Sequence, residues 1–222
     1  MCGRYTLSSQ RLTTIEARLG QSFPELQARY NITPSQLVPA VRWANGRYEL
    51  ASLKWGLLPA WAKEAKFSYS TINARAETVD AKPAFRTAFR RQRCLIPADG
   101  FYEWVEIAGR KQPYYIQLKG HEVFAFAGLW EHWSGPEGEA IESCTIIVTD
   151  ANQAIRPIHD RMRVILPPAS YSEWLAPDTR MDVLKQLLKP CDSEAVELYP
   201  VSQKVNSPRN DGPDLIERVD GA

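Results

Sequence analysis

The residues best suited to chemistry stand at the start of the chain, which begins MCGRY. Removal of Met1 would leave Cys2 with a free α-amine and a thiol on neighbouring carbons. Such amines ordinarily titrate near pH ~8 and thiols near ~8.5, so both are partly nucleophilic at neutral pH. An aldehyde is their distinctive partner, because the amine forms a Schiff base and the sulfur then closes a five-membered thiazolidine. On Cys2 alone, an ordinary N-terminal residue is the preferred interpretation.

Three further polar residues stand in unusual settings. Glu103 lies within the aromatic run CLIPADGFYEWVE, where it is either a rim residue or a desolvated carboxyl suited to acid–base catalysis. Asn73, in TINARAET, either closes a turn or orients a substrate. His159, in PIHDRM, is structural or catalytic. Singly, each fits a structural role, so their combination with Cys2 is what favours catalysis.

Arginines accompany these positions. Arg4, Arg75 and Arg161 each stand two residues after a candidate, and Arg86 lies in a stretch, residues 81–98, that contains no acidic residue. Arginine is the preferred side chain for bidentate phosphate contacts. The formal net charge is only +1, so a locally basic patch predicts a small nucleic-acid site and not a long charged groove.

Aromatic residues could extend such a site. We expect Trp55, Trp61 and Tyr102 to offer stacking surfaces for unpaired bases, and the other tryptophans considered to pack in the core: Trp104, Trp130 and Trp174. Phosphate-binding groups around an aldehyde-reactive N-terminus suggest an abasic site in DNA. Its sugar equilibrates with a ring-opened aldehyde and presents no base to be read.

The elements that must position these residues are mostly strands. Strand-like runs fill residues 93–149, and two alternating runs around Asn45-Gly46 predict a hairpin. The segment YNITP, residues 30–34, is interpreted as a turn. Because the connections are short, strand pairing should be mainly antiparallel. We therefore predict a single α+β domain over residues 1–222, with a barrel-like β core and peripheral helices.

Composition narrows the remaining classes. The chain is 44% hydrophobic, has no apolar run near the roughly 20 residues that span a bilayer, and lacks a secretory signal, so a cytoplasmic protein is expected. Its four cysteines form no CxxC pair and it has three histidines, which argues against a metal site. No cofactor is expected, and we expect a monomer.

Eight motifs, in this order, resemble the SOS-response-associated peptidase (SRAP) family: MCGRY, WGLLPAW, INARAET, RCLIPADGFYEW, KQPYYI, FAGLWE, IHDRM and PVSQKVN. The resemblance implies a compact α+β fold, no metal, and processing of abasic sites in single-stranded DNA. It implies a covalent DNA–protein crosslink through Cys2, which shields the lesion and associates the protein with the nucleoid. Peptidase-type self-processing, here no more than loss of Met1, and lyase-type Schiff-base chemistry are also implied.

The resemblance assigns roles residue by residue. Cys2 matches the nucleophile, Asn73 the orienting amide, Glu103 the acid–base carboxylate and His159 the residue assisting Schiff-base steps and crosslink reversal. The matched DNA-contacting positions are Arg4, Arg75, Arg161, Arg86, Trp55 and Trp61. The chain departs from the family at Arg163, where a proline usually follows HDRM; it would add a phosphate contact or change how the strand begins.

Two rival classes remain open. An N-terminal-nucleophile glutamine amidotransferase also begins Cys-Gly and would use the α-amine as a base for the thiol. The sequence contains neither the downstream Asn-Gly-Glu segment nor the Gly-Asp pair of such enzymes. A non-covalent single-stranded-DNA-binding module would account for the arginines and tryptophans, but not for Cys2 together with Glu103 and His159. It would bind in a salt-labile way and form no adduct.

Overall fold

The fold is built on two β-sheets, seen in a computed structural model that describes residues 3–107 and 109–219. Within these ranges, the strands are β1 (Arg4–Leu7), β2 (Arg29–Ile32), β3 (Leu37–Ala44), β4 (Arg47–Trp55), β5 (Asn73–Arg75), β6 (Arg93–Ala98), β7 (Gly100–Ile107), β8 (Arg110–Leu118), β9 (Phe124–Ser134), β10 (Ala140–Asp150), β11 (Arg161–Arg163), β12 (Ile165–Leu166) and β13 (Val196–Pro200). The helices are α1 (Thr13–Leu19), α2 (Arg86–Arg91), α3 (Tyr171–Leu175) and α4 (Met181–Gln186). These elements confirm the predicted α+β class.

One sheet closes into a barrel. Strands β10, β4, β3, β6 and β9 each pair with the next, and β9 pairs back with β10, so the five strands form a ring. Pairing is antiparallel except where β10 runs parallel to β4 and to β5. Ring closure leaves these strands without the free edges of an open sheet.

The second sheet carries the start of the chain. Its order is β13-β8-β7-β1-β2, and every pairing is antiparallel. Strand β1 was not predicted. The interpretation of residues 30–34 as a turn is wrong for residues 30–32, which belong to β2, where Ile32 pairs with Tyr5, whereas Pro34 does lie in a turn. The inward side chains of both sheets, including Tyr5, Phe101 and Phe126, share one apolar core.

Local sequence explains several boundaries. Asn45 and Gly46 adopt φ values of 53° and 76° between β3 and β4, the left-handed pair that a tight hairpin requires, so this predicted turn is confirmed. Asp99 accepts hydrogen bonds from the backbone amides of Ser8 and Ser9, so these residues are held outside α1, which begins only at Thr13.

The segment after β13 returns across the second sheet. Val205 and Leu215 cover Tyr102 and Tyr115 in a small apolar cluster. Asn31 donates to the carbonyl oxygens of Val205, Ser207 and Asn210. This segment, residues 201–219, is therefore packed against β1, β2 and β7. Among the described residues, the helices are all too short or too polar to cross a membrane.

Candidate active site

Two open clefts meet at His159, which lines both of them. The large cleft has a volume of about 1050 Å³ and the small cleft about 460 Å³. The other residues of the large cleft are Ser70, Asn73, Arg75, Glu77, Thr78, Val148, Asp150, Arg156, Asp160 and Arg161. Those of the small cleft are Arg4, Glu103, Trp104, Glu106, Lys111 and Asn206. Residues far apart in the chain thus surround one histidine.

Strand pairing delivers Asn73 and Arg75 to the large cleft. Strand β5 runs parallel to β10, with Asn73 opposite Ile146 and Arg75 opposite Val148. Residues two apart on a strand leave the same face, so both side chains reach the cleft. The INAR motif therefore places an amide and a guanidinium side by side.

His159 is oriented by its own loop between β10 and β11. The backbone amide of Arg161 donates to His159 Nδ1 at 3.0 Å, and the His159 amide donates to the Ile155 carbonyl at 3.0 Å. The Arg161 carbonyl oxygen lies at the same 3.0 Å from Nδ1, so the backbone of Arg161 can meet this nitrogen either as donor or as acceptor. The Asp160 carboxylate oxygen Oδ1 lies 3.2 Å from Nδ1.

Glu103 is a buried carboxyl at the end of the small cleft. Its side chain is 1% exposed, and no described residue makes a hydrogen bond to its buried Oε1. Because successive side chains of a strand alternate between its faces, Glu103 and Phe101 leave one face of β7, while Tyr102 and Trp104 pack on the other. Buried polar atoms are normally satisfied, so Oε1 is suited to a partner that enters the cleft.

The start of β1 lies directly beside this carboxyl. Arg4 pairs with Tyr102, the residue before Glu103 on β7. Arg4 Nη1 donates to Asn31 Oδ1 at 2.7 Å and to the Val205 carbonyl at 2.6 Å, and burial lowers the pKa of its guanidinium. Cys2 lies outside the described residues, two positions before Arg4.

Charge in the large cleft is unevenly paired. Arg161 Nη1 and Nη2 bind the two oxygens of Glu77 at 2.8 and 2.7 Å, and Nη1 also binds Asp150 at 2.5 Å. These contacts raise the pKa of Arg161, and hydrogen bonds from Arg161 lower the pKa of Glu77. Arg75 and Arg156 form no ion pair with the described part of the chain. Their charges therefore remain available to a ligand.

Two proposed aromatic platforms are corrected by burial. Trp55 is 0% exposed, donates from Nε1 to the Ile72 carbonyl, and packs edge-on against Tyr5. Tyr102 is also buried and donates to the Tyr30 carbonyl. Neither ring has a face open to a base, so both predicted stacking roles are wrong for this structure.

The remaining predicted residues lie outside both clefts. Trp61 is 67% exposed. The loop that contains it is anchored by a hydrogen bond that Trp133 Nε1 donates to the Ala62 carbonyl oxygen. Arg86 is exposed on α2. Both are accessible to a ligand, and their DNA-binding roles stay predictions.

Sequence reasoning missed several cleft residues. Trp104 was assigned to the core, but it is half-buried, lines the small cleft and donates from Nε1 to Asn206 Oδ1. Its place beside Glu103 was the available signal. Arg156 could have been identified because it lies only three residues before His159. Glu77 and Asp150 gave no local signal, because folding brings their partner, Arg161, to them. The described residues bring no three His, Cys, Asp or Glu side chains together that would hold a metal ion.

The chain belongs to the SOS response associated peptidase (SRAP) family, whose model matches residues 1–208. It is 46% identical to the abasic site processing protein YoqW of Bacillus subtilis (strain 168), over 98% of this chain and 99% of that protein. It is 34% identical to the abasic site processing protein HMCES of Xenopus tropicalis, covering 77% of this chain and 57% of that protein. A crystal structure of a Bacteroides thetaiotaomicron protein superimposes with a TM-score of 0.86 at 28% identity, covering 98% of this chain and 100% of that chain.

Proposed function

We propose that this protein processes abasic sites in single-stranded DNA by trapping the ring-opened sugar on Cys2. The observation that carries the proposal is Glu103, whose buried Oε1 lacks a partner among the described residues and lies in the cleft beside the start of β1. Membership of a family that includes abasic site processing proteins supports the same substrate.

The chemistry requires Met1 to be removed first. The α-amine of Cys2 then attacks the aldehyde carbon, and loss of one water gives an imine. The Cys2 sulfur adds to the imine carbon, and its proton passes to the nitrogen, so a thiazolidine forms with one water released overall. Ring closure is intramolecular and therefore strongly favoured.

Different side chains of the two clefts carry out the different proton transfers of this reaction. We assign to Glu103 the proton transfers to the sugar ring oxygen during opening and later from the amine, because its carboxyl lines the small cleft beside the start of β1. His159, held at Nδ1 by the backbone of Arg161, assists the imine steps and crosslink reversal from the point where the two clefts meet. Asn73 orients the sugar from the adjoining cleft wall. The imine is also the intermediate from which a lyase-type strand cleavage would begin.

DNA binding rests on the cations around the two clefts. Arg75, Arg156 and Arg4 supply positive charge that no described carboxylate neutralises through an ion pair. Contacts of this kind hold the phosphate backbone without reading sequence. Exposed Trp61 offers a ring for an unpaired base.

The decisive experiment is intact-protein mass spectrometry after incubation with a short single-stranded oligonucleotide containing one abasic site. We expect a species equal to the protein without Met1 plus DNA minus one water, and its loss in Cys2→Ala. An oligonucleotide with a tetrahydrofuran analogue, which has no aldehyde, is the matched substrate control. No adduct from protein that has already lost Met1 would overturn the proposal.

Assays on the same protein preparation distinguish the proposed function from the two rival activities. Glutamine hydrolysis that depends on Cys2, without an adduct, would indicate an amidotransferase. Salt-labile DNA binding that Cys2→Ala leaves intact, again without an adduct, would indicate a non-covalent binding module.

A further inference from the structure

Arg163 is a fully buried cation at the end of β11, with a side chain 0% exposed. Its guanidinium carbon lies 5.1 Å from the centre of the Phe101 ring, 5.2 Å from that of Phe126 and 6.0 Å from that of Trp55. These ring faces give the charge partial compensation through cation–π attraction. The guanidinium therefore lies inside the core, beneath the sheet that contains β1 and β7.

The hydrogen bonding of this buried charge is incomplete. No described residue accepts a hydrogen bond from Arg163 Nε or Nη1, and no described carboxylate forms an ion pair with it. Burying a charge without full hydrogen bonding destabilises a folded protein. A methionine of similar length would fill the space without that cost, so the arginine calls for a role other than stability.

One hydrogen bond links Arg163 to the start of the chain. Arg163 Nη2 donates to the Arg4 carbonyl oxygen at 3.0 Å. The side chain of Arg4 is itself held by Asn31 and by the carbonyls of Val205 and Asn206. Residue 4 is therefore fixed through both its backbone and its side chain.

Fixing residue 4 restricts where the nucleophile can be. Cys2 is two peptide units from Arg4, and each unit spans about 3.8 Å between α-carbons, so the two α-carbons stand at most about 7.6 Å apart. Phe101, whose ring lies over Arg163, leaves the same face of β7 as Glu103. Arg163 thus contacts β1 through the Arg4 carbonyl and β7 through the Phe101 ring. Strand β7 also carries Glu103, the proposed acid–base residue.

We propose that Arg163 is a positioning residue, which holds the Arg4 carbonyl so that Cys2 is delivered to Glu103. The inference rests on the proposed function, because the benefit of a fixed strand is a fixed nucleophile. Holding reacting groups in place accelerates a reaction without strengthening substrate binding. Arg163 does not line either cleft, so it acts on the reaction only through β1.

The test compares Arg163→Met with Arg163→Lys and with Arg93→Met. Arg93 is also a buried arginine, but its donors bind the carbonyls of Phe89, Trp174 and Ala176, away from the clefts. For each protein we would measure the single-turnover crosslinking rate at saturating abasic oligonucleotide, Kd for the tetrahydrofuran oligonucleotide, Tm, and hydrogen exchange of the peptide containing residues 3–7.

We expect Arg163→Met to slow crosslinking at least tenfold, to change Kd less than twofold, and to leave Tm equal or higher. Exchange over residues 3–7 should be at least tenfold faster. Arg163→Lys keeps a donor and should recover part of the rate, whereas Arg93→Met should lower Tm and retain the rate per folded molecule. A wild-type rate or unchanged exchange in Arg163→Met would overturn the inference. Absence of any wild-type adduct would instead reject the proposed function, and exchange would still report whether Arg163 holds β1.

Discussion

Replacing Arg156 by alanine should weaken binding of single-stranded DNA and make binding less sensitive to salt. Arg156 lines the large cleft and forms no ion pair with the described residues, so a phosphate would be the main partner for its charge. Arg161, in contrast, already binds the carboxylates of Glu77 and Asp150. A phosphate must displace those carboxylates or share the guanidinium with them.

The magnitude follows from counterion release. Each phosphate neutralised on a single strand contributes about −0.7 to the slope of log K against log[salt]. Arg156→Ala should therefore make that slope less negative by ~0.7. Between 50 and 200 mM salt, the affinity of the variant should then fall ~2.6-fold less than the affinity of the wild type. Glu77→Gln should act in the opposite direction, because it frees one face of Arg161 and removes a negative charge from the cleft.

Fluorescence anisotropy with the tetrahydrofuran oligonucleotide across this salt range measures the slope without interference from crosslinking. Arg47→Ala is the matched control, since Arg47 is exposed at the start of β4 and lines neither cleft. If Arg156→Ala behaves like Arg47→Ala while Glu77→Gln leaves the slope unchanged, the reasoning from ion pairing is wrong.

Three further outcomes are expected. Glu103→Gln should slow crosslinking by about 10²–10⁴-fold while Kd for the tetrahydrofuran oligonucleotide changes less than twofold, and an equal loss of binding would exclude an acid–base role. Trp61→Ala should weaken DNA binding by about 1–3 kcal/mol, measured by anisotropy, with Tm unchanged. Replacing the buried Trp55 by alanine should instead lower the folding stability by about 3–5 kcal/mol, measured by calorimetry. Burial raises the pKa of Glu131 above its usual 4.5, so the folded state holds that proton longer than the unfolded chain and stability falls as pH rises above about 4.5. Glu131→Gln should remove that decline and raise Tm at pH 7, and parallel Tm-against-pH curves would contradict it.

Local chemistry explains what the sequence revealed of the fold. The Asn45-Gly46 turn and the strands within residues 93–149 were predictable because turn residues and alternation act over short distances. Strand β1 was missed because Arg4–Leu7 is short and sits between β2 and β7, which only the folded chain provides. The parallel pairing of β10 with β4 was likewise not predictable from short connections.

The same contrast between local signals and long-range contacts applies to the residues of the site. Asn73, Glu103 and His159 were singled out because polar residues stood within distinctive motifs, and folding brings them to the two adjoining clefts. Trp55 was misassigned because residue type does not specify exposure. The fixation of Arg161 by Glu77 joins residues 84 positions apart, and sequence spacing does not encode that contact.

The clamp that Arg4 and Asn31 form on the segment around Val205 has a practical consequence for labelling the protein. The proposed chemistry occupies the N-terminus, and residues 201–219 form part of the packing around the small cleft. A truncation near Val205 would therefore behave as an active-site lesion, although it lies about 200 residues from Cys2. A fluorophore or affinity handle is better placed beside the β3–β4 hairpin tip, at the exposed Arg47, where it leaves both ends of the chain and the left-handed Gly46 undisturbed.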